Sequence, residues 1–456
     1  MKLPRWATAL DVVAVVMAIL TLSVLAFGGF RVTILGQRIS VTEWWRPLLW
    51  AIGAIAVRHA IVRRHPLPSR IAAGVSAWWR NDDTRTVLPV FLASRFSVLV
   101  VGFLAVILIG LPPDGATRWK IYRNELLDLP GRWDAGWYHG IASEGYHYDP
   151  QLSDQYQQNI AFFPAFPMAM RMLGPLLGRH LIWTGLVISL ASFFVALVYF
   201  LRLARSELGD DAQAAAAVTL LASYPFAVFF SAPYTEGLFL LTLVGAVYHF
   251  RRDELWRAAG WGLICGLTRP NGAFLSVVLA VMALTPAARP GTLRRLAAAS
   301  TPGLGMLAFS AFIYQLTGSA FKWTQLNLAW GRVYRSLDTI VSDRFDYIYA
   351  HGLYNYATTL TVDLMYAVAV LLALGAVWPV YRRFGAAYAV LILVTVLPPL
   401  SAGGMLSMGR VTSILFPVFL WLGAAIPAHH RTAWMVLFAS LQAVVAMMFF
   451  TWRPLF

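Results

Sequence analysis

The segment GRWDAGWYHGIASEGY, residues 131–146, brings two carboxylates and four large aromatic side chains together in an otherwise apolar chain. A carboxylate can take a proton from a reacting hydroxyl group. Trp and Tyr rings offer flat apolar faces with a polar edge. These residue types in this pattern indicate general base chemistry beside an aromatic binding surface.

A helix over residues 133–145 would divide these side chains between two faces, because successive residues are about 100° apart. One face is bulky and acidic, with Trp133, Asp134, Trp137, Tyr138, Ile141 and Glu144. The other face is mostly Gly, Ala and Ser, which favours close helix packing and leaves the bulky face to line an open space. Gly145 is the expected C-terminal cap. The alternative is an interfacial helix with its rings at headgroup level and its acids in water.

The next segment, NIAFFPAFPMAMRMLG at residues 159–174, contains two prolines flanked by aromatic residues. Proline interrupts a helix, so this segment is expected to be re-entrant or kinked and to close over the preceding helix. Irregular backbone near a membrane is tolerated only inside protein or beside a cavity. A cavity with a carboxylate and aromatic walls suits a sugar, since sugar rings stack on aromatic faces and sugar hydroxyls bind acids.

The composition is that of a polytopic membrane protein. The 456 residues are 59% hydrophobic and only 12% charged, which excludes an ordinary soluble domain. The net charge of +15 comes mostly from Lys and Arg between apolar segments, where membrane orientation explains it, so nucleic acid is not an expected partner. A single cysteine, Cys265, excludes an intrachain disulfide and a multi-cysteine metal site.

Apolar runs predict a chain that crosses the membrane about 11 to 13 times. They lie near residues 8–28, 44–62, 88–110, 181–201, 213–231, 234–250, 296–315, 360–380, 385–401, 411–427 and 433–450. The stretch 258–285 is interrupted by TRPNG, residues 268–272, and is expected to form two short helices whose tip turns back toward the side they came from.

Basic clusters give the orientation of the chain. They lie near residues 58–85, 202–205, 251–257, 289–295, 382–383 and 431, all on one side, which is therefore the cytoplasmic side. The opposite side holds two long loops, 112–160 and 317–358. The first of them carries seven acids, including Asp114, against four bases.

The sequence resembles a known family in several segments. RWDAGWYHGIASEGY followed by AFFPAFP is similar to the paired signature of the PIG-V mannosyltransferases, which belong to the multi-spanning GT-C glycosyltransferases. SAPYTEGLFLL (231–241) resembles the third signature, and GLTRPNG (266–272) and SMGRVTSILFPVFLWLG (407–423) resemble later segments more loosely. The resemblance implies an all-α GT-C domain over residues 88–456, with a catalytic outer loop at 112–180 that contains short amphipathic helices. Residues 1–87, with two spans, are expected to be an extension of unknown role.

The resemblance also implies a reaction. A hexose, most simply mannose, would move from a polyprenyl-phosphate or dolichyl-phosphate donor to a glycolipid, glycan or protein acceptor on the non-cytoplasmic face, with inversion. Asp134 occupies the acidic position of the first signature and is the candidate base, with Glu144, Asp149 and Asp154 as substitutes. The other expected substrate-binding residues are Trp133, Trp137, Tyr138, Glu144, Tyr146, Phe163, Tyr234 and Glu236.

A departing phosphate needs cationic partners. Arg269 lies at the break of the interrupted helix pair, and Arg410 lies at the outer edge of a later span. An arginine at membrane depth is costly and indicates function, although both could instead reach lipid headgroups. Asn271 is expected to cap the second short helix. Lys322 and Arg332 are weaker choices.

Two candidates have ordinary structural explanations. Glu236 follows Thr235, and the pair could simply begin a helix, with Thr235 as its N-cap. His139, His147 and Asp149 match no familiar metal-ligand spacing, so no cofactor is expected, with a divalent metal possible but not favoured.

The alternatives to an enzyme are a transporter or flippase of lipid-linked saccharides and a non-enzymatic scaffold. The lack of a visible internal repeat counts against a transporter. The Ala- and Arg-rich composition and the lack of Asn-x-Ser/Thr sites suggest a bacterial inner membrane, with the active site facing the periplasm.

Overall fold

The computed structural model describes residues 5–27, 30–34, 37–62, 69, 72–73, 76–77, 79–112, 119–285 and 291–455. Asp114 and parts of the basic segments 58–85 and 289–295 lie outside these residues. The same is true of residues 113–118 in the expected catalytic loop.

Helices make up almost all of the described fold. They are α1 (Arg5–Phe27), α2 (Trp45–Ile61), α3 (Asp82–Leu108), α4 (Glu125–Asp128), α5 (Ala135–Glu144), α6 (Ala165–Leu173), α7 (Leu181–Leu208), α8 (Asp211–Ser223), α9 (Glu236–Arg251), α10 (Leu255–Thr268), α11 (Leu275–Leu284), α12 (Thr292–Thr317), α13 (Lys322–Gln325), α14 (Leu337–His351), α15 (Leu353–Thr359), α16 (Thr361–Gly375), α17 (Val377–Phe384), α18 (Ala386–Gly403), α19 (Met408–Ser413), α20 (Phe416–Ala425) and α21 (Ala428–Phe450). Short 3₁₀ helices cover Asn159–Ala161, Gly174–Leu177, Pro225–Ser231, Pro270–Phe274 and Leu326–Trp330.

One small element departs from the all-α expectation. Strands β1 (Phe30–Ile34) and β2 (Gln37–Val41) form an antiparallel hairpin, with Phe30 opposite Val41 and Ile34 opposite Gln37. It connects α1 to α2. Within the described residues α1 packs against α2 and also against α6. The boundary between residues 1–87 and 88–456 stays a prediction.

The chain is a multi-pass membrane protein. Among the described residues, six helices are long and apolar enough to cross a membrane, and a bent pair gives a seventh. Shorter apolar helices cover Ala9–Leu25, Pro270–Leu284 and Phe416–Ala425. The larger number of 11 to 13 crossings stays a prediction, because it requires these and other short helices to span as well.

Two segments that the sequence analysis treats as single spans are broken. In the run 213–231, α8 and the 3₁₀ helix that follows meet at an angle of 75°. Pro225 explains this bend because it cannot continue the helical hydrogen bonding of α8. Arg95 of α3 stabilises the bend by donating hydrogen bonds to the carbonyl oxygens of Ala222 (2.6 Å) and Ala227 (2.5 Å). The run 411–427 is likewise divided between α19 and α20, with Pro417 in the first turn of α20.

The interrupted stretch at 258–285 has the hairpin form that the sequence predicts. Asp253, just before α10, forms an ion pair with Arg295 near the start of α12 (2.6 Å). Beyond the break, the Ser276 hydroxyl accepts a hydrogen bond from the backbone N–H of Gly303, farther along α12 (2.9 Å). Helix α11 then leads back toward the start of α12. The tip therefore turns back toward the side from which α10 came.

The helix predicted at 133–145 is present as α5 but is shorter, because Trp133 has a left-handed backbone and Asp134 precedes the first helical residue, Ala135. Its last residue is Glu144, and Gly145 is the predicted C-terminal cap, with a φ of 96° in the region that favours glycine. Segment 159–174 is broken into a 3₁₀ helix and α6, as its prolines predict. It closes over α5, since the Tyr138 ring meets the rings of Phe162 (5.2 Å) and Phe166 (5.2 Å) edge to face.

Close packing at Gly266 holds the hairpin in place, and substitution tests this. A Cβ atom at Gly266 would lie 1.8 Å from the Pro302 carbonyl oxygen in α12, whereas a Cβ at Gly260 of the same helix would meet nothing within 4 Å. We expect Gly266→Ala to destabilise the protein by about 1–3 kcal/mol through overpacking. Gly260→Ala should be neutral or stabilising by up to about 1 kcal/mol. Thermal unfolding of both variants in detergent measures this difference, and equal midpoints would contradict the packing argument.

Candidate active site

Four charged side chains from distant parts of the sequence meet at one point. Arg410 donates from Nη1 to Oδ2 of Asp134 (2.5 Å) and from Nε to Oε1 of Glu236 (2.6 Å). Arg269 donates from Nη1 to the same Oε1 of Glu236 (2.7 Å). We call these four residues the ion cluster. Two guanidinium groups and two carboxylates make it neutral overall.

The position of Asp134 is fixed by the backbone around it. Asp134 immediately precedes α5, and its N–H donates to the Tyr234 hydroxyl group (3.0 Å). Arg132 is buried and donates to the carbonyl oxygen of Phe450 at the end of α21 (2.8 Å). Trp133 has a φ of 53°, a left-handed conformation that is uncommon for aromatic residues. These contacts, with the Trp133 indole N–H bound to the Phe449 carbonyl oxygen (3.1 Å), hold the strained turn.

Glu236 and Arg410 lie in the protein interior. The Glu236 side chain is completely buried, while 9% of Arg410, 17% of Arg269 and 21% of Asp134 is exposed. The Arg410 guanidinium also lies over the Tyr234 ring, 4.7 Å from its centroid. A cation over an aromatic face is stabilised by the ring quadrupole. The exposed part of the ion cluster is therefore the part that contains Asp134 and Arg269.

Several polar atoms of Glu236 and of residues within two positions of Glu236 or Arg269 in the sequence lack hydrogen bonds. Within the described residues, Oε2 of Glu236, Oγ1 of Thr235 and Oδ1 of Asn271 are buried and have no partner. Buried polar groups are normally paired, and each exception calls for an explanation. Since carboxylate and amide oxygens accept hydrogen bonds, a ligand with hydroxyl groups would complement them.

An aromatic surface lies nearby on α5. The Trp137 ring stacks against Phe162, with centroids 5.7 Å apart and an angle of 17° between the planes. Trp330, from the long loop 317–358, meets Trp137 (5.8 Å) and Phe162 (5.5 Å) edge to face. All three side chains are half-buried. We call these three residues the aromatic wall. Sequence reasoning missed Phe162 and Trp330 as members of one surface; the only signal was their aromatic type within outer segments.

The structure brings together most, but not all, of the predicted site residues. Asp134, Glu236, Arg269 and Arg410 form the ion cluster, and Tyr234 is buried against it. Tyr138 is buried beside Tyr234, with ring centroids 6.2 Å apart, and Trp137 belongs to the aromatic wall. Their roles stay predictions.

Four predicted substrate contacts lie elsewhere. Trp133 packs against Trp452 (5.0 Å), and Tyr146 packs against Phe309 (5.6 Å). Phe163 is buried against Phe309, with ring centroids 4.6 Å apart, so the Phe163 ring packs in the protein core. Glu144 is exposed at the far end of α5, about 15 Å from Asp134 along the helix.

Three local predictions need correction. The bulky face of α5 is not uniformly open, because Tyr138 and Ile141 are buried. Asn271 does not cap the second short helix, since neither the 3₁₀ helix Pro270–Phe274 nor α11 has a side-chain cap. Thr235 occupies the N-cap position of α9, but its hydroxyl makes no capping bond. The contacts of the buried Glu236 carboxylate with two arginines therefore explain the presence of an acid at this position better than a role in starting α9 does.

The remaining candidates lie in the two long loops, 112–160 and 317–358. Lys322 forms an ion pair with Asp154 (2.7 Å), and hydrogen bonding to that carboxylate raises the pKa of Lys322. Asp149 is exposed, and its backbone N–H donates to Gln158 (2.9 Å). Within the described residues no group of three or more His, Cys, Asp or Glu side chains is arranged to hold a metal ion. A reaction without a metal stays a prediction.

The burial of Glu236 predicts unequal costs for two isosteric substitutions. Glu236→Gln removes the charge shared by the buried guanidinium of Arg410 and the half-buried one of Arg269, so we expect a loss of about 3 kcal/mol in stability. Asp134→Asn removes a partly exposed partner of one guanidinium and should cost about 1 kcal/mol. Thermal unfolding in detergent compares the two, and a larger drop in midpoint for Asp134→Asn would contradict this account of the ion cluster.

Comparisons with known proteins find similarity over part of the chain. Residues 117–288 match the family described as "Mannosyltransferase (PIG-V)". The chain is similar to GPI alpha-1,6-mannosyltransferase 2 of Homo sapiens, with 34% identity over 156 residues, or 32% of this chain and 30% of that protein. The Cricetulus griseus protein of the same name is 33% identical over 216 residues, 43% of this chain and 42% of that protein. The matches thus span less than half the length of these relatives.

Two solved structures share a distant likeness. ArnT from Cupriavidus metallidurans bound to undecaprenyl phosphate has a TM-score of 0.44 and 13% identity, covering 80% of this chain and 76% of that chain. The Archaeoglobus fulgidus oligosaccharyltransferase tethered with an acceptor peptide has a TM-score of 0.40 and 12% identity, covering 82% of this chain and 56% of that chain. The family resemblance rests on sequence, and it is confirmed for residues 117–288, the PIG-V-like segment that supplies Asp134, Glu236 and Arg269.

Proposed function

We propose that this protein is a membrane glycosyltransferase that transfers mannose from a polyprenyl-phosphate donor to a glycolipid, glycan or protein acceptor. The observation that carries this proposal is Arg410, which bridges Asp134 and Glu236 beside Arg269 in an apolar protein. A base and two cations within one cluster are the groups that such a displacement needs. The GT-C arrangement that the sequence resemblance implies belongs to the same proposal.

The proposed chemistry is an inverting displacement at the anomeric carbon. A bond forms between the acceptor oxygen and the anomeric carbon, while the bond from that carbon to the phosphate oxygen breaks. The electron pair leaves with the phosphate, and the acceptor proton passes to the carboxylate of Asp134. Arg269 and Arg410 stabilise the negative charge that grows on the phosphate.

The ion pair between Arg410 and Asp134 gives the base a means of activation. In the ion pair, Oδ2 of Asp134 accepts a hydrogen bond from Arg410. The donor phosphate competes with Asp134 for Arg410. When the phosphate takes that contact, Oδ2 of Asp134 is released and can accept the proton of the acceptor hydroxyl. Donor binding would therefore precede proton transfer.

The aromatic wall suits the sugar of the donor. Ligand sites are commonly lined by aromatic side chains with a few polar groups that fix orientation. Trp137 and Trp330 offer half-buried ring surface, and the unpaired oxygens of Glu236 and Asn271 offer acceptors for sugar hydroxyls. In one donor molecule, the phosphate would thus contact the arginines, the sugar ring would contact the aromatic wall, and the sugar hydroxyls would bind the unpaired oxygens.

We also propose that the reaction occurs on the non-cytoplasmic side, which the distribution of Lys and Arg favours. The bacterial inner membrane stays a prediction from composition. The mammalian relatives reported above give it no support.

Removal of the base should abolish transfer. We expect Asp134→Asn to lower mannosyl transfer by at least about 100-fold, the lower range for general base catalysis. The measurement is transfer of labelled mannose from polyprenyl-phosphate mannose in membranes containing equal amounts of folded protein. Asp346→Asn, in exposed α14, is the matched control and should be active. Full activity of Asp134→Asn would remove this residue from the mechanism, and activity lost instead in Glu144→Gln would move the base to Glu144.

Arg269 should act on donor use more than on folding. It contacts one carboxylate and is more exposed than Arg410, so Arg269→Ala leaves Glu236 paired with Arg410. We expect about tenfold weaker donor use, the loss of one charge-assisted contact, with a nearly normal unfolding midpoint. The KM for polyprenyl-phosphate mannose measures donor use. A normal KM with normal turnover would exclude the phosphate role.

A further inference from the structure

A tight turn in the second outer loop lies outside the segment that matches the family. The 3₁₀ helix Leu326–Trp330 ends at Gly331, whose φ of 72° reverses the chain. The Arg332 N–H then donates to the Asn327 carbonyl oxygen (3.2 Å). Trp330 joins the aromatic wall on one side of this turn. The turn therefore fixes Arg332 close to the proposed sugar-binding surface.

The end of α18 holds Arg332 from the other side. The Arg335 N–H donates to the Ser401 carbonyl oxygen (2.7 Å), so the loop is bound to α18 next to Arg332. A Cβ atom added at Gly403 would lie 3.4 Å from Cγ and 3.6 Å from Nη1 of Arg332. The side chain thus packs along glycine backbone, which limits the directions that its guanidinium group can take.

The Arg332 guanidinium lacks a partner in the described part of the chain, where it makes neither a hydrogen bond nor an ion pair. The pKa of Arg332 is lowered to about 10, chiefly by burial and next by the positive charges of Arg410 and Arg269, while Asp134 opposes them. Arg332 is therefore within electrostatic range of the ion cluster. The two carboxylates of the ion cluster are bound by Arg269 and Arg410, so the charge of Arg332 adds to a neutral cluster and favours the binding of a further anion.

We propose that Arg332 is a third guanidinium ligand for the phosphate of the lipid-linked donor. This inference rests on the proposed function. Three guanidinium groups against Asp134 and Glu236 leave one net positive charge, which equals the single negative charge of a donor phosphodiester. The product is a phosphate monoester with more negative charge, so a further cation is most valuable as the bond to the sugar breaks.

The experiment measures binding of citronellyl phosphate, a short isoprenyl phosphate, to the full chain in detergent micelles. Arg332→Ala is expected to weaken binding about tenfold, the loss of one charge-assisted hydrogen bond. Arg335→Ala is the matched control, since Arg335 lies in the same loop, is exposed, and contacts Asp343 at 3.7 Å. It should bind like the unchanged protein. Arg332→Lys keeps the charge but loses the planar guanidinium group, which can donate two parallel hydrogen bonds to a phosphate, so an intermediate affinity is expected. This variant replaces Arg332→Ala if Arg332→Ala does not fold.

The outcomes separate this inference from the proposed function. If Arg269→Ala weakens binding but neither Arg332 variant does, Arg332 is not a phosphate ligand and the proposed function stands. If the unchanged protein fails to bind citronellyl phosphate, the proposed donor site fails and this inference fails with it. Inorganic phosphate and phosphatidylglycerol serve as competitors. If phosphatidylglycerol displaces the probe as well as citronellyl phosphate does, Arg332 recognises lipid headgroups and the inference is overturned.

Discussion

The guanidinium group of Arg410 is the contact on which the site depends. It binds Glu236 and Asp134, which lie 174 and 276 residues away in the sequence. A charge inside an apolar protein is costly unless it is paired, so the burial of Arg410 and Glu236 depends on the contact between them. This requirement forces the start of α5, the start of α9 and the short helix α19 to meet. The arrangement of several membrane helices is thereby tied to one side chain.

The charged residues lie where helices begin or break. Asp134 precedes α5, Glu236 is the first residue of α9, and Arg269 lies in extended backbone between α10 and the next 3₁₀ helix. Helix ends have unpaired backbone groups, so they are the places where an apolar bundle already tolerates polarity. The long apolar helices around them supply a medium of low dielectric constant, in which charge interactions are stronger than in water. Prolines such as Pro270 produce these breaks.

The sequence predicts which charged residues form the site better than it predicts which of them form ion pairs. Asp134, Glu236, Arg269 and Arg410 can be identified because charges among apolar residues are rare, and the break after Thr268 follows from Pro270. The shared contact of both arginines with Glu236 has no local signal, because it joins segments far apart in the chain. The same reason explains why the aromatic wall has no sequence signal: Phe162 belongs to it, whereas Phe163, the next residue in the same motif, packs in the core. Periodicity identifies the faces of a helix, but only tertiary contacts show which face a neighbour covers.

The unpaired atoms beside the ion cluster favour a ligand with two kinds of groups. Each buried polar atom without a partner costs about 1–3 kcal/mol, and Thr235, Glu236 and Asn271 each contribute one. A purely anionic ligand would satisfy the arginines, and the Thr235 hydroxyl could donate to it, but the oxygens of Glu236 and Asn271 are acceptors and would repel an anion. A neutral sugar would satisfy the oxygens and leave the guanidinium groups bound to carboxylates. A sugar phosphate supplies hydroxyl donors and an anion in one molecule, so it can satisfy both sets of groups at once.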